Sequence, residues 1–288
     1  MPPRLPSARF LTEPLRRSLA GTVRRTFNDQ AKGERPVVPS PDNSLIPRGS
    51  VAWRVHGDVT TMMIGGMSGL LLQMLHPQAL AGVWDHSNFR EDMLGRLRRT
   101  ARFIATTTYG ERADAEAMIA RVRRIHARVV GTLPDGRSYA ADDPRLLAWV
   151  HVAGEMSFLE AWIRHAEPDM SRADQDRFFA DVAIVAEKLG ADPIPRSIAE
   201  AKALLESFRP ELVADERSHI VRDIILSPPG TGLAALPVQK TLARAAVDLL
   251  PGWARRMHRL RSSGAAAPLL RASVGGLANS LRWALGRT

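Results

Sequence analysis

From Val51 onward, apolar residues recur at three- and four-residue intervals, which is the periodicity of amphipathic helices. Helix start signals agree with it, since Asp143 and Pro144 place an acid before a proline at the first helical position. Strand-like alternation is absent outside residues 131–142, which predict one short hairpin. We therefore predict an all-α fold with helices at residues 59–75, 77–84, 88–108, 112–130, 143–165, 171–188, 196–212, 214–226, 236–262 and 266–285.

Three segments divide the chain. Its 288 residues are 45% hydrophobic, which is enough apolar material for a substantial core. Residues 51–262 predict one helical domain. Residues 1–50 predict a basic helix followed by an arm rich in proline and serine, and residues 263–288 predict a C-terminal basic helix.

The net charge of +10 belongs to the two ends of the chain. Residues 1–36 carry +5 and residues 238–288 carry +8, whereas residues 37–237 carry −3. A surface that follows a nucleic-acid backbone needs cations on the folded body, usually with aromatic side chains that stack on bases. Because the body is slightly acidic and only 6% of the residues are aromatic, we expect no nucleic-acid partner.

Both basic ends are amphipathic. One apolar stripe runs from Leu11 to Phe27 and another from Leu242 to Met257, each interleaved with arginines. Such a helix can lie on an anionic membrane surface, or it can pack its stripe on the body and leave its arginines in water. The most apolar run, Met62 to Leu75, is too short to span a bilayer. We expect a cytoplasmic protein whose ends can contact the periphery of a membrane.

The chain lacks the residues that several common kinds of site require. Cysteine is absent, which excludes disulfides, thiolate ligands and a cysteine nucleophile. The single Glu-x-x-His, Glu216 to His219, lacks the second such motif of a di-iron bundle and is better explained as a helix start. The run Gly65 to Gly69 imitates a phosphate loop, but no strand precedes it, and close helix packing explains its glycines better.

Three histidines lie among apolar residues. On a helical wheel His126 falls in the middle of an apolar arc, and His151 and His76 have similar surroundings. A buried histidine must form a hydrogen bond or bind a ligand, and the first is commoner for a single case. Three such histidines on one apolar scaffold favour the interpretation that the protein binds a metal ion or haem. Because no carboxylate stands at ligand spacing, an axial haem imidazole fits better than zinc.

A second candidate group lies on one helix face. Arg96, Arg99 and Thr100 are spaced by three and four residues, so their side chains share that face. The face is suited to haem propionates, dioxygen or an anionic substrate. The alternative is a solvated basic face paired with Glu91 and Asp92, which the spacing alone favours.

An ordered series of short motifs resembles the MpaB-type oxygenase family, which includes the catalytic domain of the rubber oxygenase (latex-clearing protein). The resemblance covers roughly residues 50–260. The motifs are His56-Gly57-Asp58, Leu75-His76-Pro77, Asp85-His86-Ser87-Asn88-Phe89, Arg96-x-x-Arg99-Thr100, Tyr109-Gly110, Ile125-His126, Gly136-Arg137-x-Tyr139 and Trp149-Val150-His151.

This resemblance implies a globin-like domain that holds one haem b and uses dioxygen to oxidise or cleave an isoprenoid-type double bond. His126 resembles the proximal iron ligand of the family. Arg96, Arg99 and Thr100 resemble its distal segment, whose second position in rubber oxygenases is a lysine that can cap the iron. An arginine stays protonated and is a poor iron ligand, so we expect no capping by Arg99. The glutamate that rubber oxygenases place upstream has no clear match.

Two functions follow from these observations. The first is a haem-dependent oxygenase, an enzyme that acts with dioxygen on a lipophilic small molecule. In it His126 ligates the iron, and His151 and His76 support that ligand or replace it. The second is a non-catalytic haem- or lipid-binding helical protein at the periphery of a membrane.

Overall fold

The computed structural model describes residues 36–227 and 236–286, together with positions 13, 16, 17, 20 and 21. The apolar stripe predicted between Leu11 and Phe27 lies outside the described residues. Within the two long described ranges the fold is all-α, as predicted, with twelve α-helices and one two-stranded sheet. The helices are α1 (Val51–Val55), α2 (Val59–Gln73), α3 (Pro77–His86), α4 (Met93–Tyr109), α5 (Arg112–His126), α6 (Pro144–His165), α7 (Arg172–Leu189), α8 (Ile198–Ser207), α9 (Glu216–Leu226), α10 (Leu236–Leu249), α11 (Gly252–Met257) and α12 (Ala267–Ala284).

The predicted hairpin is present between α5 and α6. Its strands β1 (Val130–Thr132) and β2 (Ser138–Ala140) pair antiparallel, with Gly131 opposite Tyr139. Gly136 in the connecting turn has a φ of +87°, a conformation that favours glycine. The hairpin therefore follows from the turn residues that the sequence supplies.

Helix boundaries differ from the predictions where tertiary structure or proline intervenes. The helix predicted at residues 112–130 ends at His126, because Val130 is taken into β1. The helix predicted at residues 236–262 is divided into α10 and α11 at Pro251, since proline lacks an amide hydrogen and disfavours a helical residue before it. The short helix α1 is an addition that the periodicity did not indicate.

The centre of the fold is the crossing of α2 and α6. A Cβ atom on Gly65 would lie 2.8 Å from the Cα of Phe158, and one on Gly69 would lie 3.2 Å from the Cα of Gly154. The prediction that these glycines serve close helix packing is therefore confirmed. Helices α10 and α12 also contact α2, while α7 and α8 contact α6, so the pair has neighbours on several sides.

The last helix is part of this packing. Val274 and Ala278 of α12 are fully buried. Arg282 donates from Nε to Asp58 Oδ2 at 2.7 Å, which joins α12 to the start of α2. The division of the chain at residue 262 stays a prediction.

A buried histidine makes stability depend on pH. His258 is fully buried, its Nε2 donates to the Leu71 carbonyl at 2.8 Å, and its Nδ1 is buried without a partner. Burial lowers the pKa of His258 from 6.5 to about 4, and burial likewise lowers the pKa of His165 to about 4. The folded pKa lies below the unfolded one, so the unfolded chain binds more protons between these values.

We therefore expect full stability above about pH 6.5 and a progressive loss as the pH falls towards 4. Urea unfolding across this window measures the proton uptake. His258→Gln retains a side-chain donor and should reduce the uptake by about one proton. The remainder comes from His165 and from the other histidines whose pKa burial lowers, His76, His126 and His151. An unchanged slope in His258→Gln would contradict this assignment.

Candidate functional site

Four of the predicted site residues lie at one end of the α4–α5 hairpin. Helices α4 and α5 pack against each other and are joined by only two residues. They are of similar length, so the first turns of α4 stand level with the last turn of α5. This geometry brings Arg96, Arg99 and Thr100 to the same end of the pair as His126.

The segment before α4 holds the two guanidinium groups. Arg96 Nη1 donates to Ser87 Oγ at 3.1 Å, and Arg99 Nη2 donates to Asn88 Oδ1 at 3.3 Å. Asp92 caps the helix, and its Oδ2 lies 3.8 Å from Arg99 Nη1. The Ser87-Asn88 motif and the Arg96-x-x-Arg99 motif are therefore in direct contact, a connection that spacing did not predict.

These two cations differ in their exposure. Burial, and then the nearby charge of Arg99, lower the pKa of Arg96 to about 10, so Arg96 stays protonated at neutral pH. Arg99 is 54% exposed, and Thr100 is exposed with its Oγ1 donating to the Arg96 carbonyl at 3.3 Å. A guanidinium has five N–H donors, so each arginine keeps donors for an anion.

His126 is the last residue of α5 and is half-buried. Burial lowers its pKa, against the opposing influence of Asp142, so the ring is neutral at pH 7. Neither ring nitrogen has a hydrogen-bond partner among the described residues. A neutral imidazole with a free nitrogen lone pair is the form that ligates iron.

The apolar arc around His126 is only partly covered. Ile119 is buried, but Ile125 is 50% exposed and Val130 is 55% exposed. The expectation that His126 lies at the centre of a buried face is therefore wrong at these two positions. The helix ends at His126, so Val130 follows strand geometry and leaves the helical arc. Leu94, at the same end of the hairpin, is also 39% exposed.

The chain that follows His126 is fixed by the β-hairpin. Tyr139 donates to Asp85 Oδ2 at 2.7 Å, and His86 Nε2 donates to the Val130 carbonyl at 3.2 Å. A Cβ on Gly131 would lie 2.6 Å from the Tyr139 hydroxyl, so only glycine fits there. Burial and the bond to Asp85 raise the pKa of Tyr139 to about 12. Asp85 thus serves to hold the β-hairpin against α3.

His76 lies in the core, at the start of α3. Its ring is 6.0 Å from that of Trp149 and 5.9 Å from that of Phe208. Its Nε2 is 3.7 Å from Glu211 Oε2, and its Nδ1 is buried without a partner. Burial lowers the pKa of His76, while Glu211 raises it.

His151 belongs to a different cluster, on α6. Its Nε2 is buried without a hydrogen-bond partner, and burial lowers its pKa against the influence of Glu155. Glu155 in turn contacts His56, with 3.2 Å between Oε2 and Nε2, and His56 Nδ1 lies 3.0 Å from Thr108 Oγ1. The group of His56, Glu155 and Thr108 escaped the helical-wheel reasoning, although His56 belongs to the first motif of the resemblance.

The structure does not bring His76 and His151 together. His76 packs on Trp149, and His151 follows two residues later, about 200° further around α6. In the described part of the chain, no three histidine, aspartate or glutamate side chains could share a metal ion. A single axial imidazole requires no such cluster.

Two cavities lie away from all six predicted residues. One, of about 450 Å³, is lined from α2, α6, α8 and the α10–α11 region, including Glu160, Arg164 and Lys202. The other, of about 300 Å³, lies beside α10.

Comparison with protein families identifies the family of this chain. A family model described as "ER-bound oxygenase mpaB/B'/Rubber oxygenase, catalytic domain" matches residues 53–283. The chain belongs to this family. The match extends from α1 to the end of α12, so it covers the α4–α5 hairpin and the α2–α6 crossing alike. No curated protein and no solved structure matches the chain.

Membership of the MpaB/rubber oxygenase family supports an oxygenase-like function, a class of reaction that in general requires a substrate and dioxygen. No helix in the described ranges is long and apolar enough to cross a membrane.

Proposed function

We propose that the protein is a haem b-dependent oxygenase that oxidises or cleaves a lipophilic, isoprenoid-type substrate with dioxygen. The observation that supports this most is the state of His126. Its imidazole is neutral, half-buried and free of hydrogen bonds, and it stands at the same end of one hairpin as two arginines. The family match supports the oxygenase class independently.

The residues at this end of the hairpin fit a haem. His126 offers an unshared nitrogen to iron, and Arg96 and Arg99 offer cationic donors to propionates. Ile125, Val130 and nearby Leu94 offer apolar surface that no described residue fully covers. When bound, haem b would supply an iron that binds dioxygen.

The protein side chains have separate tasks in this proposal. The Arg99 guanidinium acts as a hydrogen-bond donor, with no lone pair to offer the iron. Arg96, held by Ser87, provides a second fixed positive charge at the site. The Thr100 hydroxyl already donates to its own helix, so its lone pairs are left to accept a hydrogen bond.

Replacement of His126 tests the proposal. We expect the purified protein to bind haemin with a Soret band, and His126→Gly to lose most of that absorbance. Glycine is tolerated at a helix end, so the variant should fold. Added imidazole should restore the band in His126→Gly if the lost side chain was the ligand. A protein that stays colourless with haemin would overturn the haem assignment.

Two further variants serve as matched controls. His76→Ala and His151→Ala each remove a core imidazole, and both should keep the Soret band at wild-type intensity. Loss of the band in one of them, with His126→Gly unaffected, would move the ligand to that residue. Circular dichroism of each variant separates loss of the ligand from loss of the fold.

The second candidate, a non-catalytic haem- or lipid-binding protein at a membrane, is favoured by the C-terminal surface. Six exposed cations there lack an acidic partner among the described residues, and we propose that this surface contacts anionic membranes. They are Lys240, Arg244, Arg256, Arg259, Arg261 and Arg271. Oxygen consumption with an isoprenoid substrate separates the two functions, because the non-catalytic protein would consume none.

A further inference from the structure

A groove beside α10 combines positive charge with apolar walls. Its volume is about 300 Å³. The residues that line it, here called the basic groove, come from the end of α9, from one face of α10 and from the segment after α11. They are Leu226, Lys240, Ala243, Arg244, Val247, Leu260, Arg261 and Ser263.

The three cations of the basic groove are available to a ligand. Lys240, Arg244 and Arg261 are exposed, and none forms an ion pair or hydrogen bond with another described residue. The nearest acids along the chain are already engaged. Asp248 Oδ1 accepts the Ser263 amide at 2.7 Å, and Asp223 pairs with its neighbour Arg222 at 2.7 Å.

Apolar side chains, here called the apolar wall, line the groove beside these cations. Ala243 and Val247 are 7% and 8% exposed, and Leu226 and Leu260 are half-buried. On α10 the spacing of Lys240, Ala243, Arg244 and Val247 puts cations and apolar side chains on the same face. An occupant of this groove therefore needs an anionic group attached to a hydrocarbon portion.

We propose that the basic groove binds the phosphate headgroup of an anionic phospholipid in a membrane surface, with the first part of an acyl chain against the apolar wall. The proposal rests on the membrane contact proposed above and is independent of the haem site. Lys240, Arg244 and Arg261 donate to the phosphate oxygens.

Nucleic acid fits this groove less well than a lipid does. Single-stranded nucleic acid is held by aromatic side chains that stack on bases, and the groove lining contains none. The apolar wall would have no contact to make with a phosphate backbone. A lipid contacts the cations with its phosphate and the apolar wall with its acyl chain.

Vesicle sedimentation with two triple variants tests the proposal. The wild type should bind vesicles of phosphatidylcholine with phosphatidic acid and leave vesicles of phosphatidylcholine alone unbound. Lys240→Gln, Arg244→Gln and Arg261→Gln together should weaken binding by more than about 100-fold, since these side chains lose their hydrogen bonds to the phosphate as well as their attraction to the anionic surface. The matched control combines Arg256→Gln, Arg259→Gln and Arg271→Gln, which removes the same charge outside the groove. Its loss of binding should be smaller by at least about tenfold, since these side chains donate no hydrogen bond to the headgroup.

The outcomes separate the groove from the membrane contact. Equal losses in the two triple variants would show that binding is a diffuse electrostatic attraction, and would overturn the proposal that the basic groove binds a headgroup. No binding of the wild type to either vesicle would overturn the membrane contact as a whole. Short-chain phosphatidic acid should compete with the vesicles, and inorganic phosphate should compete far less. Equal competition by both would show an anion site that does not recognise lipid, which also overturns the proposal.

Discussion

Gly65→Ala will lower the free energy of unfolding by about 3 kcal/mol. The added Cβ would lie 2.8 Å from both Cα and Cδ1 of Phe158 and 2.9 Å from the Ser157 carbonyl oxygen. Two of these three atoms are backbone atoms of α6 and cannot move away as a flexible side chain would. The helices must separate, and the buried contacts along their crossing are weakened together. Chemical denaturation of the purified variant measures the loss.

The adjacent glycine provides a control of opposite sign. In Gly66→Ala the nearest atom to the new Cβ would be Phe158 Cε1, at 3.7 Å, which is an ordinary van der Waals contact. Alanine is favoured over glycine in a helix by up to about 1 kcal/mol, so this variant should be as stable as the wild type or slightly more stable. If the two variants had equal stability, the α2–α6 crossing would not lie at Gly65.

Most of the fold could be predicted from the sequence because its local signals agree. The periodicity, the helix start at Asp143 and the turn residues between 131 and 142 predict most of the helices and the β-hairpin to within a few residues. Errors arose at places where a distant partner decides the local structure. The pairing of Val130 with Ala140 ends α5 early, and no property of residues 112–130 taken alone indicates where that helix stops.

The candidate site was predictable in its members more than in its surroundings. Wheel reasoning selected His126 because apolar residues flank it, and it inferred burial from that pattern. A pattern of apolar residues shows only that one face of a helix favours burial. It does not indicate which other element of the chain packs against that face. In the structure Ile125 and Val130 are half exposed, so the inference of burial fails at these positions.

Contacts between distant motifs were beyond the reach of spacing. Asp85 and Tyr139 are 54 residues apart, and His56 and Glu155 are 99 residues apart. Each pair joins a family motif to another helix or strand. Some residues of the family motifs therefore serve to join elements of the scaffold. A role in chemistry has to be tested for each residue separately.

Arg282→Ala will lower the free energy of unfolding by about 3 kcal/mol, because it leaves a buried carboxylate without its cation. Asp58 is 7% exposed and has two bonds, accepting from the Thr61 amide at 2.9 Å and from Arg282 Nε at 2.7 Å. The first bond caps α2 and survives the substitution. The second holds the end of α12 to α2, so amide exchange in α12 should accelerate more than exchange in α7.

A double-mutant cycle isolates the pair from the rest of the change. Asp58→Asn keeps a good helix cap while removing the charge. The double variant of Asp58→Asn with Arg282→Ala should then be more stable than the sum of the two losses predicts, by about 1 to 3 kcal/mol. Arg271→Ala, on the same helix, removes an exposed arginine without an acidic partner among the described residues and should change stability by less than about 0.5 kcal/mol. A loss in Arg282→Ala no larger than that of Arg271→Ala would show that α12 is held by its buried apolar residues alone, with Val274 and Ala278 sufficient to keep it on α2 and α10.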